Sequence, residues 1–217
     1  MPKKSLKESA YEKISDYIIR ENLKPGDMLP PEESLTKIAD ASRTPVRAAL
    51  NMLEQEGVIE TIPRRGTFIT QISLKDVQEL FQLREAIEGL AARLAARRVD
   101  QDQLSIIEKI LNDAMKEEDP ERKQKLFDEG DDMLHTFIFD QSGNQRLRQV
   151  SRTYSTILKI EINVSNTIPG VVEKFHDDHA EVITALRNQD SAAAERAMKK
   201  HISNVYRNIL LTYEKNL

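Results

Sequence analysis

The sequence contains no cysteine and no long run of apolar residues. Without thiols the chain has neither disulfides nor thiolate zinc sites nor a cysteine nucleophile, and this composition fits a reducing, cytoplasmic compartment. A membrane span needs roughly 18 consecutive apolar residues, so we expect no helix in a membrane. The opening residues, MPKKSLKESAYEK, also lack the apolar core of a signal peptide.

An excess of positive charge is missing as well. The net charge is −4 over 217 residues, which taken alone argues against nucleic-acid binding. The acidic excess lies after residue 69, because residues 1–69 carry 11 Lys and Arg against 11 Asp and Glu. Electrostatic fields act over a Debye length of ~8–10 Å, so local arginine clusters can still contact phosphate. Composition therefore leaves DNA binding open.

The first third of the chain consists of short segments broken by proline and glycine. Apolar residues four apart predict a helix over 6–22, which Lys24-Pro25-Gly26-Asp27 ends. A second helix is predicted from Glu32 to Ala39, a third from about Arg43 to Gln55, and a hairpin over 58–71. Three helices and a hairpin, with a very tight link between the second and third helices, are the order of a winged helix-turn-helix.

The third predicted helix carries the residues best suited to reading DNA. In a winged helix-turn-helix this helix lies in the major groove and presents its first turn to the base edges. Arg43 and Arg47 share one face, and arginine forms bidentate hydrogen bonds with guanine. Arg64 and Arg65 at the hairpin tip are placed to reach a minor groove or phosphates, with Gly66 permitting the turn. The alternative is a small packing module with solvated arginines.

These segments together resemble the amino-terminal domain of the GntR family of transcription regulators. The matching motifs, in chain order, are Lys24-Pro25-Gly26-Asp27-Met28-Leu29-Pro30, Ser42-Arg43-Thr44-Pro45-Val46-Arg47, Ala49-Leu50, Leu53, Glu56-Gly57 and Arg65-Gly66-Thr67-Phe68. The resemblance covers residues 6–71. It implies that Arg43, Thr44, Arg47 and Gly66 contact DNA.

The remaining residues, 74–217, are poor in glycine and proline, and their apolar side chains recur at helical spacing. Six helices are predicted, spanning roughly 74–95, 102–117, 120–140, 144–164, 171–188 and 190–214. Short loops between such helices favour an antiparallel all-α bundle. The predicted fold is therefore mainly α, with a winged helix-turn-helix domain at 1–71 and a six-helix domain at 72–217.

All four histidines lie in this helical half. Asp131 and His135 are four residues apart and hence neighbours on one helical face, while His179 and His201 fall on the fifth and sixth predicted helices. Helices of a bundle can direct such side chains to one interior point, and a carboxylate with three imidazoles suits zinc, nickel, iron or manganese. The alternative is that each is an ordinary hydrogen-bonded histidine. We expect His176 to face solvent.

The helical half also resembles a known domain, the FCD ligand-binding domain, which follows this kind of winged helix in one GntR subgroup. The resemblance rests on Asp131-Asp132-Met133-Leu134-His135, Ser142-Gly143-Asn144 with Leu147, His179 with Ile183 and Ala185, and Ala193 to Met198 with His201. Six helices match the shorter variant of that domain. The resemblance implies that Asp131, His135, His179 and His201 bind a divalent metal ion beside a carboxylate effector.

Two further residues are candidates for contacting that effector. Arg84, on the first bundle helix, can form a bidentate clamp on a carboxylate, or it can pair with Glu88 one turn later. Asn204 lies one turn after His201 and is placed to face the same cavity.

These expectations combine into a metabolite-responsive repressor. Helical domains would hold a homodimer on a palindromic double-stranded operator, and a small organic acid would change the affinity for DNA. Two alternatives stay open at this point. One is a metal-dependent enzyme, and the other is a DNA-binding protein whose helical bundle serves only dimerisation.

Overall fold

The computed structural model describes residues 5–165 and 171–215, which form two compact units. In chain order the elements are α1 (Leu6–Arg20), α2 (Glu32–Ala39), α3 (Arg43–Gln55), β1 (Ile59–Ile62), β2 (Gly66–Ile69), α4 (Leu74–Ala95), α5 (Gln101–Lys116), α6 (Pro120–Gln141), α7 (Gln145–Arg152), α8 (Ser155–Ser165), α9 (Val171–Arg187) and α10 (Ser191–Lys215). The expected mainly α fold with an amino-terminal winged helix-turn-helix is confirmed. No helix in the described ranges is both long and apolar enough to span a membrane.

The first unit contains α1 to α3 and the hairpin. A capping box fixes the start of α1, because the Ser5 hydroxyl accepts from the Glu8 amide while the Glu8 carboxylate accepts from the Ser5 amide. Asp40, in the left-handed conformation, ends α2, and α3 begins three residues later. The buried core consists of Ala10, Ile14, Ile18, Leu29, Leu35, Ala39, Val46, Ala49, Leu53, Val58, Ile59, Ile69 and Ile160.

The hairpin pairs β1 with β2 in antiparallel register, from Ile59 opposite Ile69 to Ile62 opposite Gly66. Its tight turn requires positive φ angles at Arg64 (66°) and Gly66 (124°). A side chain at Gly66 would be strained at this φ, and its Cβ would lie 3.4 Å from the sulfur of Met28. Glycine therefore sets the shape of the wing.

One prediction for the helical half is wrong. The helix expected over 144–164 is two helices, α7 and α8, with Thr153 and Tyr154 between them. Moreover, α8 belongs to the first unit, where Ile160 joins the core and the Thr156 hydroxyl lies 3.1 Å from that of Tyr11. Apolar periodicity shows that a helix has a buried face but not which core receives it. The division expected between residues 71 and 72 therefore describes the chain only in part.

The second unit contains α4, α5, α6, α7, α9 and α10 within the described ranges. Helix α10 packs on α4 and α9, and α5 packs on α6. The last pair approaches closely at Gly130, where an added Cβ would lie 2.6 Å from Leu111. Gly130 directly precedes Asp131, so this close contact fixes the backbone beside a predicted metal ligand.

Candidate metal centre and DNA-reading surface

Four predicted ligands from three helices meet in the interior of the second unit. Asp131 and His135 come from α6, His179 from α9 and His201 from α10, and one ligand atom from each lies within 4.8 Å of all the others. The carboxylate of Asp131 is 3.0 Å from Nε2 of His179 and 3.6 Å from Nε2 of His135. The rings of His179 and His201 are 4.4 Å apart between centroids. The structure therefore brings together side chains that the sequence separates by up to 70 residues.

Two of these imidazoles are buried without adequate partners. His179 and His201 are each about 1% exposed. Nδ1 of His179 and Nδ1 of His201 make no hydrogen bond with any described residue, and the 3.0 Å contact of His179 Nε2 with the Asp131 carboxylate lacks hydrogen-bond geometry. A buried polar atom left unsatisfied costs about 1–3 kcal/mol, so the cluster carries a penalty that a bound cation would relieve. A set of one carboxylate oxygen and three imidazole nitrogens fits a divalent transition metal.

The pKa values of Asp131 and His201 suit the same chemistry. Burial alone would raise the pKa of Asp131, but His135 and His179 outweigh it and hold that pKa well below its usual value. Burial, together with His179 and His135, lowers the pKa of His201 well below its usual value. Asp131 is therefore ionised and His201 neutral, the forms in which each can donate an electron pair to a metal.

Glu88 joins this cluster, although from the sequence it was expected only as an alternative partner of Arg84. One Glu88 oxygen lies 2.6 Å from Nδ1 of His135, and the other accepts a hydrogen bond from Nε of Arg84 at 2.6 Å. Burial lowers the pKa of His135, but Glu88 and Asp131 outweigh that effect and raise it to about 10. The spacing of Arg84 and Glu88 in the sequence indicated that these two side chains could pair on one helix. It could not show that Glu88 also reaches a histidine on another helix.

Arg84 is itself buried, at 2% exposure. Its guanidinium lies over the ring of Phe81, with 4.9 Å between Cζ and the centroid. Its Nη1 atom makes no hydrogen bond within the described part of the chain. The pairing with Glu88 that was the alternative interpretation is thus observed, and it leaves one buried donor of Arg84 available for an anion.

The structure gives Asn204 and His176 other partners. The side-chain nitrogen of Asn204 donates to both oxygens of Asp178, at 3.0 and 2.8 Å. Asp178 lies 3.9 Å from Nδ1 of His201, so Asn204 is near the cluster but its donor group is engaged. His176 is partly exposed, lies outside the cluster, and has Nε2 2.9 Å from the Asn112 side-chain oxygen. His176 was expected to face solvent, and its contact with Asn112 is the reason that its side chain is only partly exposed.

The predicted DNA-contacting residues lie on exposed parts of the first unit. Arg43, Thr44 and Arg47 are exposed on α3, whose opposite face buries Val46 and Ala49 in the core. Nε of Arg47 donates to both carboxylate oxygens of Glu32, at 3.0 and 2.8 Å. This contact between α2 and α3 was not predicted, because periodicity does not identify partners across a turn.

The hairpin tip presents a second exposed basic group. Arg64 and Arg65 are both exposed, and Arg65 lies over the ring of Phe68 with 5.8 Å between Cζ and the centroid. The guanidinium of Arg65 thus lies against Phe68 of β2, whereas Arg64 lies in the turn with a positive φ. The two exposed basic groups are thus carried by α3 and the wing, the elements that contact DNA in a winged helix-turn-helix.

Comparison with known proteins agrees with this reading of both units. Residues 6–69 match the model of the gntR family of bacterial regulatory proteins, and residues 79–204 match the model of the FCD domain. The transcriptional repressor RspR of Escherichia coli (strain K12) is 25% identical over 225 residues, covering 99% of this chain and 93% of that protein.

Solved structures show the same fold. The McbR/YncC protein of E. coli superimposes with a TM-score of 0.81 at 17% identity, covering 99% of this chain and 100% of that one. The metal-free FCD domain of TM0439 gives a TM-score of 0.56 at 18% identity, covering 67% of this chain and 99% of that one. The chain belongs to the FCD branch of the gntR family of bacterial regulatory proteins: it is a DNA-binding transcription regulator and not an enzyme.

Proposed function

We propose that this regulator senses a small organic acid through a divalent metal ion bound by Asp131, His135, His179 and His201. The observation that carries the proposal is the convergence of these four side chains within 4.8 Å, with buried ring nitrogens that lack other partners. Zinc, nickel, manganese and iron all accept such a donor set. When bound, the ion supplies coordination positions that a carboxylate oxygen can fill.

Arg84 is the proposed second anchor for the acid. Its Nη1 atom is a buried donor without a partner in the described ranges, and a charge-assisted hydrogen bond to a carboxylate is stronger than a neutral one. Arg84 also contacts Glu88, which contacts His135. The anchor and the metal ligands therefore belong to one hydrogen-bonded chain, so occupancy at one end can influence the other. Asn204, predicted to contact the effector, is proposed instead to position Asp178.

For DNA recognition we propose that α3 enters the major groove. Arg43, Thr44 and Arg47 would then face base edges and neighbouring phosphates, which is supported by their exposure opposite the buried face of α3. Arg64, Arg65 and Gly66 would place the wing at the adjoining minor groove or backbone. In a homodimer, two such heads match a palindromic operator.

The regulatory outcome that we propose is repression relieved by the acid. A relative, RspR, is named a repressor, and loss of DNA affinity on effector binding needs only a modest coupling. A coupling free energy of about 1–3 kcal/mol changes operator affinity roughly 5- to 150-fold. The acid can produce this change only if it binds the two arrangements of the dimer with different affinities.

Elemental analysis and DNA binding test the proposal together. Protein purified without chelator should contain about one divalent ion per chain, and His179→Ala should contain almost none. Citrate, lactate and related acids should then weaken binding to a selected DNA duplex in the metal-loaded protein but not in His179→Ala. Wild type that carries no metal, or acids that act equally on both proteins, would contradict the sensor. DNA binding that is unaffected by any acid or by metal would indicate a bundle that only dimerises.

A further inference from the structure

Glu32 and Arg47 form an ion pair between α2 and α3, in which both carboxylate oxygens share one N–H group of Arg47. Nε of Arg47 lies 2.8 and 3.0 Å from the two carboxylate oxygens of Glu32. The Glu32 side chain is 31% exposed, whereas that of Arg47 is 67% exposed. Among the residues that the structure describes, Glu32 is the one that pairs with the Arg47 side chain. The Glu32 carboxylate is thus partly buried at the protein surface, and the Arg47 guanidinium is the more exposed member of the pair.

This contact uses one particular part of the guanidinium. A guanidinium has five N–H donors in a fixed planar fork, and Glu32 engages the donor nearest the side-chain stem. The two terminal nitrogens stay available, and together they can donate to O6 and N7 of one guanine. Arg43 lies on the same face of α3, but its side chain makes no ion pair or hydrogen bond with a residue in the described ranges. The sequence predicts the same role for both arginines, but in the structure only Arg47 pairs with a carboxylate of the described residues.

The charge of Glu32 also affects which part of DNA Arg47 can bind well. A carboxylate next to the guanidinium offsets its positive charge and repels a nearby phosphate. The attraction of Arg47 to the DNA backbone is therefore weakened. Hydrogen bonds from its terminal nitrogens depend on direction as well as on charge and are weakened less, and these are the contacts that distinguish one base from another.

The position of Glu32 makes this arrangement stable in the free protein. Glu32 is the first residue of α2, where the helix dipole favours a negative side chain. The next residue, Glu33, points elsewhere: it is 75% exposed and lies 3.7 Å from Lys37 on its own helix. Two adjacent glutamates thus carry the same charge, but only one of them contacts the DNA-reading helix.

We propose that Glu32 is a specificity-determining residue for DNA recognition, which holds the Arg47 side chain so that its terminal nitrogens face one guanine. Glu32 does not itself touch DNA in this arrangement; it is a positioning residue. The inference rests on the proposed placement of α3 in the major groove. It predicts that removing the Glu32 carboxylate lowers sequence discrimination without lowering general affinity for DNA.

The test begins with a preferred duplex selected by the full-length wild-type protein from a randomised double-stranded library. Arg47→Ala identifies the base pair that Arg47 reads, as the position where preference is lost. At that pair the wild type should discriminate roughly 5- to 150-fold between the preferred base and its substitutes. Affinities for the selected duplex and its single substitutions are then measured for Glu32→Gln and for its matched control, Glu33→Gln.

Both glutamine variants lose one negative charge, so both should bind unrelated duplex slightly more tightly. Glu32→Gln should in addition reduce discrimination several-fold at the base pair read by Arg47, and at no other pair. Glu33→Gln should retain wild-type discrimination at every position. Glu32→Asp, which keeps the charge but shortens the reach, should lose discrimination as Glu32→Gln does, which separates positioning from net charge.

Two results would overturn the inference. One is that Glu32→Gln keeps full discrimination at that base pair, as Glu33→Gln does. The other is that Glu32→Gln lowers affinity equally for all duplexes with an unchanged melting temperature. If Arg47→Ala alters no base preference at all, the placement of α3 fails first. If Arg47→Ala flattens one position while Glu32→Gln does not, only the role of Glu32 is wrong.

Discussion

At the scale of single residues, the second unit depends on buried charges that balance one another. Glu88 is 2% exposed, and burial would raise its pKa, but Arg84 and His135 outweigh that effect and lower the pKa to about 2. Glu88 therefore stays ionised and accepts a hydrogen bond from Nδ1–H of His135, which leaves Nε2 on the side of Asp131. Carboxylates in this role orient histidine ligands and increase their basicity.

Replacing Glu88 should weaken metal binding without removing any ligand. We expect Glu88→Gln to lower zinc affinity by about 10- to 100-fold, the usual effect of losing an outer partner of a histidine ligand. Competition with a chromophoric chelator measures this change. Glu85→Gln, an exposed position on the same helix, is the control and should bind zinc as wild type does. Equal affinities for Glu88→Gln and wild type would show that Glu88 does not orient His135.

At the scale of elements, close helix packing positions the proposed metal ligands. Gly130 lets α6 lie against Leu111 of α5, since an added Cβ would approach that side chain to 2.6 Å. Gly89 of α4 has similarly little space, but its neighbour is the long side chain of Lys199. The two glycines differ because a buried leucine has no room to move, whereas a half-exposed lysine does.

We expect Gly130→Ala to destabilise the second unit more than Gly89→Ala. Overpacking a helix contact costs about 1–3 kcal/mol, and a shift of α6 would also move Asp131 and lower metal affinity. Gly89→Ala should cost less, because Lys199 can adopt another rotamer and alanine favours helix. Urea unfolding and zinc titration of both variants measure the two effects. The opposite order of stabilities would mean that the α5–α6 contact is not constrained at Gly130.

A second prediction at this scale concerns α8. Ile160 is 3% exposed and lies in the core of the first unit. Ile160→Ala should therefore destabilise that unit by about 2–5 kcal/mol, while metal content stays as in wild type. Hydrogen exchange measured along the chain is the appropriate method, and it should show reduced protection in α1 and α3. Reduced protection confined to α4 and α10 would place α8 with the other unit.

At the scale of the whole molecule, metal binding should be linked to folding. A ligand that binds the native state alone stabilises it by RT ln(1 + [L]/Kd), which is about 3 kcal/mol at one hundred times Kd. We expect chelator to lower the melting temperature of the second unit by several degrees and zinc to restore it. His201→Ala should melt at one temperature with or without chelator. An identical response of wild type and His201→Ala would exclude stabilisation through this cluster.

Much of this protein could be read from its sequence. The apolar spacing and the proline and glycine stops predicted α1 to α3 and the hairpin, and the bounds of α3 agree with the structure. The motifs around Arg43 and His135 identified both families, which the comparisons confirm. These features are local: helix periodicity, turn residues and short motifs depend on neighbours within a few positions of the chain.

Tertiary structure decided what depends on long-range contacts. The sequence could not show that α8 completes the core around Ile160, that Glu88 contacts His135, or that Arg47 pairs with Glu32. A helical pattern specifies a buried face but not its partner, because many faces bury apolar area equally well and only packing selects one. The sequence thus determined most of the elements and the residue types of the proposed metal ligands, whereas packing decided which of these side chains meet and which buried donors have no partner among the described residues.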